Sequence, residues 1–109
     1  MMTPEQVLAT YESMTALTAQ MVAAARSGDW QHVQELENQV SGHVGRLRSD
    51  GAAVVMEGPG RQRKVALIQK MLEDDRVIRD LAMPWMQQLA TLISSTQTER
   101  RVVNAYGSV

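Results

Sequence analysis

The stretch VALIQKMLEDDRVIRDLAMPWMQQLATLI, Val65 to Ile93, decides how the rest of this chain is arranged. Stepped at about 100° per residue, the helical increment, it puts Leu67, Ile68, Met71, Asp75, Ile78, Ala82, Trp85, Met86, Leu89, Leu92 and Ile93 on one face. The stripe keeps its phase for about seven turns. A helix from about Gln62 to Ser94 is then roughly 50 Å long, at ~1.5 Å per residue. Pro84 lies inside it. There it removes one backbone N–H and presses its ring on the carbonyl of Asp80, at ~3 kcal/mol in a helix interior. Proline is welcome as the first residue of a new helix. However, the apolar phase is unchanged across Pro84, and neither Ala82 nor Met83 is a good N-cap. The expectation is one long helix with a bend near Asp80.

Working back from this helix, Glu57-Gly58-Pro59-Gly60 is a strong turn signal and Ser49-Asp50-Gly51 a weaker one. The apolar run Ala52 to Met56 between them reads either as a frayed end of the preceding helix or as an ordered loop. That second helix opens at Asp29, an N-cap residue, with Trp30 as its first position. Trp30, Val33, Leu36, Val40, Val44 and Leu47 line its apolar face. Gly42 and Gly45 lie inside it at ~1 kcal/mol each relative to Ala; they either allow close backbone approach or are tolerated, and toleration is favoured. The first helix is expected over about Pro4 to Ser27. Thr3 is its N-cap, Pro4 its first residue and Gln6 completes a capping box. Val7, Tyr11, Met14, Leu17, Met21, Val22 and Ala25 repeat at three and four residues, and Gly28 supplies a left-handed stop. A break this short turns the second helix antiparallel to the first. Downstream, SSTQTERRVVNAYGSV stays helix-compatible, with Arg100 and Val103 near the stripe and Gly107 as a stop. The last ~10 residues are expected to order only on a partner.

The chain is therefore all-α: an antiparallel three-helix bundle, up-down-up, with a long, Pro-kinked third helix. Its 109 residues make a single domain with a modest core. With no cysteine, disulfides and thiolate metal sites are excluded, as suits a reducing compartment. Residues 1–20 show no basic region followed by an apolar run, so no signal peptide is read. No apolar segment is long enough to span a bilayer. A net charge of −1 disfavours a nucleic-acid binder that relies on phosphate contacts. Eight methionines and no phenylalanine suit packed helices.

No catalytic constellation emerges, and no metal or cofactor is expected. Glu73-Asp74-Asp75 is the one carboxylate cluster, but successive residues point about 100° apart on a helix. Arg76 and Arg79 follow at pairing distance, so a solvated, salt-bridged face is expected. Asp75 stands out because it falls within the apolar stripe, where a lone polar group can set register. His32 and His43 lie about three turns apart with no third ligand. Arg61, Arg63 and Lys64 collect at the start of the third helix, with Arg46 and Arg48 as candidate neighbours. Cations are unfavourable there, which leaves a solvated end or a docking patch for an acidic partner. Val65 and Leu72 sit together beside the stripe rather than in it. They widen the apolar surface beyond a two-helix contact, for a deeper core or for a groove that takes a partner's amphipathic helix. The third helix also outruns its neighbours by ~10 residues, ~15 Å at 1.5 Å each. That overhang presents Trp85, Met86, Leu89, Leu92 and Ile93, a patch for an oligomer or another partner.

Four segments taken together resemble a known family: the Leu/Ala/Met-rich first helix, AARSGDW (Ala24 to Trp30), LIQKMLEDDRVIRDLAMPWMQQLATLI (Leu67 to Ile93) and NAYG (Asn104 to Gly107). In this order and spacing the chain is similar to the flagellar export chaperones of the FliT family, over roughly Val7 to Gly107. The resemblance implies a helical, cytoplasmic protein that binds the C-terminal helical segment of the filament-cap protein in an apolar groove between helices two and three. It also implies, for some members, contacts with the export ATPase complex and a flagellar transcriptional activator. Matched residue by residue, the groove draws on Val40, Val44 and Leu47, and on Leu67, Ile68, Met71 and Leu72, with Val65 beside them. Family members continue past the Tyr-Gly into a further regulatory helix. The sequence here ends at Val109, so neither autoinhibition by such a helix nor transcriptional regulation is expected. The leading expectation is a non-catalytic export chaperone with no cofactor, no nucleic acid and no membrane insertion. The rival is an obligate dimeric adaptor or structural module without a client.

Overall fold

The first helix begins where its capping chemistry dictates. In α1 (Pro4–Arg26), the Gln6 amide donates to Thr3 Oγ1 at 3.2 Å and the Thr3 amide donates to Gln6 Oε1 at 2.9 Å. This closes the capping box that the sequence predicts. The helix ends as cleanly. The amide of Asp29 donates to the Ala24 carbonyl at 2.9 Å and that of Gly28 to the Ala25 carbonyl at 3.1 Å. Gly28 sits at φ +77° between them. The pair of bonds is a Schellman closure, which needs a left-handed residue at that point. Asp29 then turns outward and caps α2 (Trp30–Arg46), its Oδ1 accepting from the His32 amide at 3.2 Å. So short a link folds α2 back along α1. The far ends meet, because the Met2 amide donates to the Asp50 carbonyl at 3.3 Å.

These coordinates are a computed structural model that describes the backbone of residues 1–107 and the side chains of residues 1–93. The expected placement of Arg100 and Val103 beside the stripe lies outside the described side chains. At its end α2 runs into a single π-helical turn, Leu47–Gly51. The Ser49-Asp50-Gly51 signal is therefore a widened last turn, and not a simple reversal. Gly51 faces the start of α1: a Cβ there would lie 3.4 Å from Met2 Sδ and 3.5 Å from Val7 Cγ2. Residues 52–57 follow as a loop, which settles the open reading of Ala52 to Met56. Gly42 and Gly45 have nothing within 4 Å of an added Cβ, so they are tolerated rather than needed for close packing.

The third helix, α3 (Gly58–Gly107), is 50 residues long, against 23 for α1 and 17 for α2, and Pro84 lies inside it. It starts four residues earlier than the periodicity indicates. Between α1 and the first part of α3, contacts advance in step. Tyr11 meets Lys64, Glu12 meets Arg63, and further along Thr18 meets Asp74. The two helices thus run parallel, and with α2 antiparallel the order is up-down-up.

The chain divides into two compact units, Met1–Arg79 and Asp80–Val109. The first holds the core. Val7, Met14, Met21, Ala24 and Ala25 of α1 pack with Val33 and Leu36 of α2, Leu67 of α3, and Met2. Two threonines of α1 are also buried, Thr10 and Thr18. Thr10 meets its hydrogen-bonding need locally, donating to the Gln6 carbonyl at 2.8 Å. Thr18 does so across the bundle, donating to Asp74 Oδ2 at 2.9 Å.

That last contact corrects the reading of the acidic cluster. The buried carboxylate is Asp74, 4% exposed, and not Asp75. Asp75 is half-exposed and pairs with Arg79 at 2.7 Å along the helix surface. The inward face of α3 is turned from the centre of the apolar stripe toward Leu67 and Asp74, which lie two turns apart and nearly in line. Periodicity counts a carboxylate as polar and assigns it to water. Here a hydroxyl on α1 and the Lys70 ammonium, 2.9 Å from Oδ1, satisfy it inside.

Candidate functional site

Where α1, the end of α2 and the start of α3 converge, the side chains leave a groove of about 460 Å³. Its floor is apolar: Val7 and Met14 from α1, Val44 and Leu47 from α2 and the π turn, and Ile68 from α3. Gly51, Ala52 and Val54 also line it, and Tyr11, Arg48 and Lys64 bring polar groups to the lining.

Of the residues expected to hold a client, the structure brings Val44, Leu47 and Ile68 together around this groove. Val40 and Met71 are half-buried and lie outside its lining. Val65 and Leu72 face solvent, at 44% and 64% exposed. Leu67 is not among the residues that line the groove and packs in the core, at 5% exposed. Among the lining residues absent from the expectation, Val7, Tyr11 and Met14 carry a signal that is legible as the apolar face of α1. What periodicity could not show is that this face is shared between the core and the groove.

Two of the three basic residues that open α3, Arg63 and Lys64, are answered from α1. Arg63 Nε lies 3.6 Å from Glu12 Oε1, and Lys64 Nζ sits 5.6 Å from the centre of the Tyr11 ring. These contacts offset the unfavourable placement of cations near a helix N-terminus. Further along α3, the hydrogen bond from Lys70 to Asp74, reinforced by the Asp74 charge, holds the ammonium pKa above its ordinary value. The histidines stay apart. His32 is exposed beside Glu35, Nδ1 3.3 Å from Oε2, whereas His43 lines a more polar cavity of about 420 Å³ with Gln6, Thr10, Ser13, Arg46 and Asp50. Among the described residues, no group of acidic, histidine or cysteine side chains is placed to hold a metal ion. Nor, among them, is any helix long and apolar enough to cross a membrane.

A second apolar surface lies in the Asp80–Val109 unit. Trp85 is 54% exposed, Met86 66%, Leu89 52%, Leu92 64% and Ile93 51%. These are the residues of the expected overhang, and all five reach solvent. Met83, off the stripe, is exposed with them. The Met1–Arg79 unit thus carries an apolar groove with Arg48 and Lys64 in its lining, and the Asp80–Val109 unit carries a row of large exposed apolar side chains.

Known proteins match this architecture and sequence closely. A crystal structure of the flagellar protein FliT from Bordetella bronchiseptica superimposes with a TM-score of 0.70 at 32% identity, covering 79% of this chain and 98% of that one. The flagellar protein FliT of Serratia proteamaculans is 28% identical over 106 residues, 94% of this chain and 84% of the relative. The family model described as flagellar protein FliT matches residues 8–108, and the chain belongs to that family.

Proposed function

We propose that this chain is a type III flagellar export chaperone. In this reading it binds the C-terminal amphipathic helix of the filament-cap protein, prevents its premature assembly, and delivers it to the export apparatus. It acts in the cytoplasm as one helical domain over residues 1–109, without catalysis, and hands its client on through the export ATPase complex. The observation that carries the reading is the groove floored by Val44, Leu47 and Ile68 in a member of the FliT family. An amphipathic helix offers apolar anchors at i, i+3, i+4 and i+7, and such a floor is what those anchors need. Val40, Met71, Val65 and Leu72 extend the contact beyond the floor along α2 and α3, and the flexible thioethers of Met14 and Met71 adapt to the client's side chains.

The test is a pull-down of cap protein, with and without its C-terminal segment, by the full chain and by Ile68→Asp. Capture that requires the segment and is lost in Ile68→Asp, with far-UV circular dichroism unchanged, supports the proposal. Capture indifferent to the segment overturns it. Met71→Asp serves as the second variant should Ile68→Asp fail to fold.

A second reading rests on the exposed row Trp85, Met86, Leu89, Leu92 and Ile93. Surfaces of this kind are commonly covered by a partner, and a second copy of the chain would make the protein an obligate dimeric adaptor without a client. Sedimentation across a wide concentration range separates the two readings. A dimer that never dissociates and ignores the cap protein's tail favours the adaptor.

A further inference from the structure

The groove lining has a charge of its own. Arg48 and Lys64 both line it, and no carboxylate does. The chain as a whole is net negative, at −1, so this local excess of cations is not a general property of its surface. The carboxylate nearest in sequence to the lining on α1, Glu12, is engaged elsewhere by Arg63. Lys64 Nζ lies 5.6 Å from the centre of the Tyr11 ring, itself part of the lining, so the cation–π contact favours placing the ammonium at the groove. Arg48 stands on the π turn and is exposed.

An apolar groove with cations in its lining selects against basic ligands as well as for acidic ones, since like charges brought together across an interface are repelled. We infer that the groove is specific for an acidic amphipathic helix from a partner protein: aliphatic anchors on one face, with Asp or Glu on the flanks that meet Arg48 and Lys64. This rests on the proposal that the groove is the client site, and it adds a rule for which helices enter. A helix of equal hydrophobicity carrying lysines on its flanks is refused. The charges also steer the encounter, so the association rate falls as salt rises while dissociation changes little.

Two synthetic helical peptides with the same aliphatic face, one flanked by Glu and one by Lys, test the inference by fluorescence anisotropy on the full chain. The cap protein's C-terminal segment is measured in parallel. The Glu peptide is expected to bind about tenfold more tightly than the Lys peptide, as two rim pairs of modest strength allow. Arg48→Glu combined with Lys64→Glu reverses the preference. Lys64→Met, which keeps an apolar stem against Tyr11, weakens the Glu peptide alone and controls for lost packing. Equal binding of the two peptides, or a preference that survives the double reversal, overturns the inference. If the cap segment binds and is lost in Ile68→Asp, yet neither salt nor Arg48→Glu affects it, the charge rule fails and the groove reading stands. If the Glu peptide binds as expected and the cap segment does not, the client reading fails and the charge rule stands. A groove closed by a second copy of the chain shows neither peptide bound and a dimer that Ile68→Asp dissociates, which overturns the inference as well.

Discussion

Replacing Thr18 with valine keeps the shape of the side chain and deletes one donor from the interior of the bundle. Thr18 Oγ1 lies 2.9 Å from Asp74 Oδ2 and 3.0 Å from the Thr15 carbonyl. A hydroxyl has one proton to donate, and the charged carboxylate is the stronger acceptor. Asp74 is 4% exposed, so water does not take the place of the lost hydroxyl. A hydrogen bond to a buried charge is worth about 1.5–3 kcal/mol. Lys70 still holds the other oxygen at 2.9 Å from a half-exposed position, which places the expected loss for Thr18→Val near 2 kcal/mol. For a chain of this size that lowers Tm by about 10 °C. Removing both partners should behave differently. Thr18→Val with Asp74→Leu leaves no orphaned charge, and exchanging a buried polar pair for packed apolar groups is close to neutral. Urea unfolding followed by circular dichroism measures all four corners of the cycle. The double variant is expected to recover most of what Thr18→Val loses. A single substitution within about 0.5 kcal/mol of the parent, or a double variant that simply sums two losses, would refute the idea that this pair locks α3 against α1.

Gly28→Ala meets nothing within 4 Å, yet must adopt φ +77°. The expected loss is the left-handed penalty alone, about 1–2 kcal/mol, read as a lower urea midpoint with an unchanged slope. Leu36 is 2% exposed and Leu72 64%. Leu36→Ala is therefore expected to destabilise by about 2–5 kcal/mol, whereas Leu72→Ala stays within about 0.5 kcal/mol in the same melt while weakening cap-segment binding. Equal effects of the two on stability would mean that the assignment of core and surface on α2 and α3 is wrong.

Part of the groove is legible in the sequence, because it uses the same apolar residues that make the helices amphipathic. Val44, Leu47 and Ile68 follow from periodicity plus the family resemblance, and all three line the groove. Leu67 shows the limit of that reasoning. It neighbours Ile68 in sequence and lies on the same broad stripe, but about 100° of helical rotation separates a core residue outside the groove lining from one within it. A stripe wider than one contact does not say which edge is the core. In the sequence, Arg46 and Arg48 stand only as candidate neighbours of Arg61, Arg63 and Lys64. Joining Arg48 to Lys64 took the fold.

What the sequence determined alone was local: where α1 starts and stops, that α2 returns along it, and that the segment around Pro84 remains helical. Each follows from hydrogen bonds closed within a few residues, such as the Thr3–Gln6 capping box and the Gly28 closure, or from an apolar repeat carried by one segment. Only the tertiary structure decided how far α3 is rotated, which acid is buried, and what the basic residues of its first turns pair with. Those outcomes depend on groups more than fifty residues apart in the chain, Thr18 and Asp74, Tyr11 and Lys64, Glu12 and Arg63. A carboxylate enters a core only when a donor from another helix meets it there, and no repeat along one helix carries that information.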